Sequence, residues 1–211
     1  VDGLTKTWVT GAVTVAPSGA RFTRLSSSPF IDGPYPNTQI GITLTDSFDS
    51  RVLKNLDMNA ATSGTCSGAT CTAKVLGSAI NVRYGRLRLD DAFGPETATL
   101  PVSFYTEYWL GNRFVKNQDD SCTKILRSAI TYPTGNILTD ANRTVALTGG
   151  STTGNYGAID ATQISFAAGD ARQFFSAPTG SATGSFNVTV DLTSYPWLRF
   201  DWNQDGNESD T

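Results

Sequence analysis

The C-terminal run Asp201-Trp202-Asn203-Gln204-Asp205-Gly206-Asn207-Glu208-Ser209-Asp210 is rich in hard oxygen donors. Asp201, Asn203 and Asp205 stand at alternate positions, Gly206 allows a sharp turn, and Asn207 offers a backbone carbonyl next. That is how a calcium loop wraps oxygens round one ion. Calcium is therefore the expected cofactor, with Asp201, Asn203, Asp205 and Asn207 as metal ligands. The flanks differ from an EF-hand, because a strand ending at Phe200 leads in and Ser209 holds the ninth position. The chain also stops at Thr211, before a bidentate carboxylate could close the shell. An Asx-rich solvated turn is the alternative reading of the same residues.

Acidic pairs occur at Asp90-Asp91 and Asp119-Asp120, with Glu96 and Glu107 nearby. Two carboxylates across a sugar bond would suit glycoside cleavage. Adjacent aspartates on a strand point to opposite faces, however, and acidic pairs at strand ends commonly close turns. The glycoside hydrolase reading is accordingly remote, and Asp119-Asp120 reads as a turn beside Cys122. Trp8, Trp109, Trp197 and Trp202, with Tyr105, could supply flat platforms for sugar rings or a partner. Tyr105 and Trp109 are the preferred contacts because they share the outward parity of one strand; packing under a second layer is the competing explanation. Of the three cysteines, Cys66 and Cys71 flank a turn-forming SGAT, so a Cys66–Cys71 disulfide is expected, with pairing to Cys122 as the alternative.

Composition removes much else. The chain has no histidine, which excludes Ser-His-Asp and Cys-His nucleophilic sites and histidine-ligated zinc. Net charge is −3 with Lys and Arg scattered singly, so nucleic acid is not an expected partner. No apolar run approaches the ~20 residues of a membrane helix. Val1 stands where a methionine would, so a processed product or a cut fragment is expected.

The elements that must position these residues are strands. Leu100 to Leu110 alternates Leu100, Val102, Phe104, Thr106, Tyr108 and Leu110 with Pro101, Ser103, Tyr105, Glu107 and Trp109, the period of a pleated strand. Gly111-Asn112 then predicts a type II′ hairpin returning through Arg113 to Val115. Val82 and Tyr84 differ in parity from Leu87 and Leu89, and Gly85 between them predicts a bulge. Further strands are expected over Thr5–Val15, Gln39–Thr45, Thr144–Thr148, Thr162–Phe166 and Phe186–Leu192, with GGSTTGNYG as a flexible connection. The core is expected to include Val82, Tyr84, Leu87, Leu89, Leu100, Val102, Phe104 and Tyr108. The fold class is all-β, an antiparallel immunoglobulin-like sandwich, either one continuous domain or two packed sandwiches divided as 1–78 and 79–211.

The strings RYGRLRLDDAFGPETATLPVSFYTEYW, NQDDSCT, TGSFNVTVDL and YPWLRFDWNQDG resemble the C-terminal domain of unknown function in MshQ-like proteins; GPYPNTQIGITLTDS and LDMNA also fit. These are encoded with the biogenesis genes of the mannose-sensitive haemagglutinin (MSHA) type IV pilus in Gram-negative bacteria. The resemblance runs from about Thr23 to Asn207. It implies one module of a large, secreted, multidomain envelope protein, exported through the periplasm to the cell surface, without catalytic residues. It also implies that the family continues beyond Thr211, so that this chain is C-terminally truncated. The expected function is a non-enzymatic extracellular β-sandwich module of a pilus-associated or adhesin-like protein, contacting pilus or other envelope proteins, with surface glycans as the alternative ligand.

Overall fold

The computed structural model describes residues 5–10, 12–16, 22, 24, 31–43, 73–131, 144–155 and 162–202. The chain divides into two compact units, residues 1–32 and 33–211. In the first, β1 (Thr5–Val9) and β2 (Ala12–Ala16) form an antiparallel hairpin with Val9 opposite Ala12. The single strand expected over Thr5–Val15 is thus two. Thr10, with φ +49°, lies at the reversal, and a two-residue turn leaves the alternating pattern of the sequence unbroken.

The second unit is all-β, and every pairing among its described residues is antiparallel. β3 (Tyr35–Thr43) pairs with β4 (Ala73–Val82) through two register irregularities. β5 (Gly85–Leu89), β6 (Leu100–Trp109) and β7 (Phe114–Lys116) follow. Short strands β8 (Lys124–Leu126) and β9 (Ile130–Thr131) flank one 3₁₀ turn. Then come β10 (Thr144–Leu147), β11 (Gly150–Asn155), β12 (Gln163–Ser165), β13 (Asp170–Phe175) and β14 (Thr189–Val190). The main sheet has the order β10-β11-β13-β6-β5, with β7 also on β6. The pairs β8–β12 and β9–β14 supply side chains to the same core, giving a sandwich-like packing.

β6 is the central strand, and its pattern explains why. Val102, Phe104 and Thr106 are buried on one parity, and Phe104 has no exposed surface, a burial that stabilises by about 1.5–3 kcal/mol. Val102 and Phe104 meet Leu87 of β5, Ala171 and Phe175 of β13, and Ile125, Ile130, Ile164 and Val190 of the short strands in one cluster. One edge of β6 belongs to β5; the other is shared by β13, opposite residues 100–105, and β7, opposite 107–109. Thr106 is the switch between them, its N–H donating to Gly169 O at 3.0 Å and its carbonyl accepting from Asn117 N–H at 2.8 Å. Pro101, which has no N–H, is tolerated in β6 because β5 pairing stops at Phe104.

The Gly111-Asn112 hairpin is present: Trp109 faces Phe114, Leu110 N–H donates to Arg113 O at 2.8 Å, and Gly111 has φ +100°. In place of the expected bulge at Gly85 the strand breaks after Val82 and β5 begins at Gly85 in another sheet with regular register, which changes the facing so that Tyr84 and Leu87 are both buried. The glycine identity of Gly85 answers to close approach, because a Cβ there would lie 3.2 Å from Trp197 O. Of the expected core, Tyr84, Leu87, Val102 and Phe104 are buried and Leu89 and Leu100 are partly so. Val82 and Tyr108 are only half-buried, and Leu110 is exposed at the hairpin.

One further expectation is corrected. Much of GGSTTGNYG is β11, inside the sheet between β10 and β13, because Thr and Ser are strand-compatible and small residues fit a covered face. Among the described residues, the strand expected over Phe186–Leu192 is paired at Thr189–Val190, and Val190 and Leu192 are buried and Ser185, Asn187, Thr189 and Asp191 exposed, as the alternation requires.

Candidate functional site

The outward parity of β5, β6 and β7 carries the chemistry. Cross-strand register sets Arg88 opposite Tyr105, Arg86 opposite Glu107, Glu107 opposite Lys116 and Trp109 opposite Phe114. Directly opposed residues on one face are close enough to interact. Glu107, only 6% exposed, accepts a hydrogen bond at Oε2 from Arg86 Nε at 2.7 Å and pairs through the same oxygen with Arg86 Nη2 at 2.7 Å. Its Oε1 accepts from Arg88 Nη1 at 3.2 Å. Arg88 also holds Asp90 at 2.7 Å. The Glu107 hydrogen bond, opposed by desolvation and supplemented by Asp90, raises the Arg88 pKa above its ordinary value.

An aromatic cluster closes over this pair. The Arg86 guanidinium carbon lies 3.8 Å from the Phe114 ring centre, 4.3 Å from that of Trp202 and 4.9 Å from that of Phe200. Edge-on contacts run from Trp109 to Phe114 to Phe200 to Trp202, with centroids 5.0–5.3 Å apart. The C-terminal segment therefore covers the outer face of the sheet, and the 3₁₀ turn Pro196–Leu198 packs against β5, the last strand of that sheet. Trp197 and Trp202 remain about half exposed.

Tyr105 and Trp109 are thus on the outward parity as read, but both are half-buried. Trp109 packs against Phe114, and Tyr105 lies beneath Arg88 at 5.9 Å. Of the candidate carboxylates, Asp90 is engaged by Arg88, Glu107 by Arg86 and Arg88, and Asp119 by Arg83 at 2.7 Å, whereas Asp91 and Glu96 are exposed. Arg83 also donates to Asn117 Oδ1 at 2.6 Å and stacks on Tyr108, which joins the RYGRLRLDD and NQDDSCT motifs.

Asp120 is a turn residue. Its buried Oδ1 accepts from Thr123 N–H at 2.9 Å and Cys122 N–H at 3.2 Å, and its backbone carbonyl accepts from Gly169 N–H at 2.8 Å. Desolvation pushes its carboxyl upward, but hydrogen bonds from Thr123 and Cys122 outweigh it and hold the pKa below the usual value. The Thr106 hydroxyl faces the same carboxylate without a well-formed hydrogen bond of its own.

Of the metal ligands, Asp201 is half-buried between Phe200 and Trp202; Asn203, Asp205 and Asn207 lie outside the described residues, as do Cys66 and Cys71. Cys122 is an exposed free thiol. Among the described residues no cluster of acidic and cysteine side chains could hold a metal ion, and no helix is long and apolar enough to cross a membrane.

The sequence reading did not reach the Arg86 cage or the buried polar contact in which Arg127 Nη1 donates to Gln173 Oε1. Arg86 and Glu107 gave no local signal, because their meeting depends on the β5–β6 register across the long loop between these strands. The comparisons add a family. No curated protein and no solved structure matches the chain. Residues 83–211, more than half of the sequence, match the model described as DUF6701, fourth domain, and the chain belongs to that family.

Proposed function

We propose that this chain is a non-enzymatic β-sandwich module of an extracellular, pilus-associated or adhesin-like surface protein, working through contacts with pilus or other envelope proteins. The observation that supports this is the engagement of Asp90, Asp119 and Glu107 by arginines, which favours structural roles for them over those of a free acid and base. A fourth-domain match also fits one unit of a multidomain protein. The MshQ-like identity and the MSHA pilus setting belong to this proposal, resting on the motif strings. So does calcium at Asp201, Asn203, Asp205 and Asn207, supported by the anchoring of Phe200 and Trp202 on either side of the first ligand.

The test is protease shaving of intact Gram-negative cells that carry the full-length protein, followed by probing of sheared pili for it. Release of this module from intact cells and recovery with pili are expected. A module protected until the outer membrane is broken would refute surface display. A glycan-binding reading is favoured by the half-exposed rings of Trp197 and Trp202. Glycan-array binding lost in Trp202→Ala would support it, and an empty array would remove it.

A further inference from the structure

A cleft of about 540 Å³ opens between β12 and β13, and none of its lining residues belongs to the Arg86 cage. That size suits a small ligand, whose sites run to ~300–1,000 Å³. Ala171 and Gln173 turn into the core, so alternation along β13 puts Asp170, Arg172 and Phe174 together on the opposite face. The buried residues Ile164 and Arg127 also line the cleft, and Arg127 is fixed there by the bond from its Nη1 to Gln173 Oε1.

Three observations bear on its ligand. Arg172 is exposed in the lining, and Lys124 stands opposite Ser165, another lining residue, on the same face of the β8–β12 pair; among the described residues neither cation makes an ion pair. Asp170 is the one acid among the described lining residues, and Lys116 Nζ meets its Oδ2 at 2.5 Å, so a donor and an acceptor stand side by side with their charges balanced. The half-buried ring of Phe174 is two residues from Arg172 on the same face of β13.

We infer that the cleft is a binding site for a carboxylated sugar, a hexuronic acid unit of a saccharide. Arg172 takes the carboxylate in its planar fork, and Lys124 adds charge from β8. The Lys116–Asp170 pair serves ring hydroxyls, which both donate and accept, and Phe174 meets the apolar face of the ring. A neutral sugar would leave the two cations unused, and an acidic peptide would set further carboxylates against Asp170. The site goes beyond the reading of Trp197 and Trp202 as glycan contacts, and it stands or falls separately from that reading.

The probe is trigalacturonic acid, with its methyl ester as the neutral control and a capped triglutamate peptide as the acidic one, titrated into the isotope-labelled protein. Amide shifts centred on residues 163–165 and 170–174, with Lys116 and Lys124, are expected, and the sugar acid should bind at least ~tenfold tighter than either control. Arg172→Gln, at an exposed position, should weaken it by ~tenfold while leaving the spectrum of the free protein otherwise unchanged. Arg113→Gln, at an exposed position in the β6–β7 hairpin, should have no effect. No binding, equal binding of either control, shifts centred elsewhere, or an equal response to the two variants would each overturn the site. Failure there leaves surface display standing, because that is read separately from intact cells.

Discussion

Arg86 and Glu107 face each other across β5 and β6, and both bonding nitrogens of Arg86 close on the single oxygen Oε2 at 2.7 Å. The acid is almost fully buried and the base lies against three aromatic rings, so removing Glu107 strands Arg86, and removing Arg86 leaves Glu107 with the longer Arg88 contact at 3.2 Å. Breaking one side of such a buried pair costs about 3–5 kcal/mol, whereas replacing both partners with apolar groups costs far less. Glu107→Ala should therefore destabilise strongly in urea unfolding, and Arg86→Met combined with Glu107→Leu should lose much less than the two single changes added together. Additive losses would show that the pair is not coupled.

Asp120 predicts an acid limb to stability. Its folded pKa is depressed, so its contribution is fully present above the unfolded carboxylate value and is lost as pH falls through the lower folded value. Melting temperature should drop below about pH 4, and Asp120→Asn should flatten that drop. Asp120→Ala, which strands the N–H groups of Cys122 and Thr123, should cost about 1–3 kcal/mol at neutral pH. An acid limb of the same steepness in Asp120→Asn would assign it to other carboxylates.

Gly169 has φ +77°, and a Cβ on it would stand 2.6 Å from Asn117 O. Its carbonyl and N–H hold Thr106 and Asp120, so displacement here loosens the point where β6 passes from β13 to β7. Gly169→Ala should destabilise by more than about 1 kcal/mol, with amide exchange rising first at Thr106 and Asn117. Unchanged stability would mean that the loop yields without cost.

Phe104 has no exposed surface at the middle of the core. Phe104→Ala should cost about 3–5 kcal/mol, read as a lowered urea midpoint with little change in slope.

Calcium can be checked by melting in chelator and in added calcium, since a ligand bound by the native state alone raises stability by about 2.7 kcal/mol at a hundredfold excess over Kd. The proposed site predicts a rise that Asp201→Ala abolishes. Identical melting temperatures would remove calcium from the function.

Much of the strand logic was legible because it is local. β6, the Gly111 turn and the change of facing at Gly85 follow from a two-residue period and one glycine's conformational freedom, which neighbours three or four residues apart define. The same locality explains the misses. A two-residue turn hides inside an unbroken alternation, as between β1 and β2, and a run of Gly, Ser and Thr reads as a linker unless its neighbours in the sheet are known, as in β11.

The sequence by itself therefore determined the all-β class, the central strand and the outward parity of Tyr105 and Trp109. Only the tertiary structure decided what that outer face is. The register between β5 and β6 across a long loop brings Arg86 to Glu107, and Phe200 and Trp202 close over them from the far end of the chain. Neither relation has a local pattern, because long-range pairing is fixed by how the whole core closes rather than by any neighbouring residue.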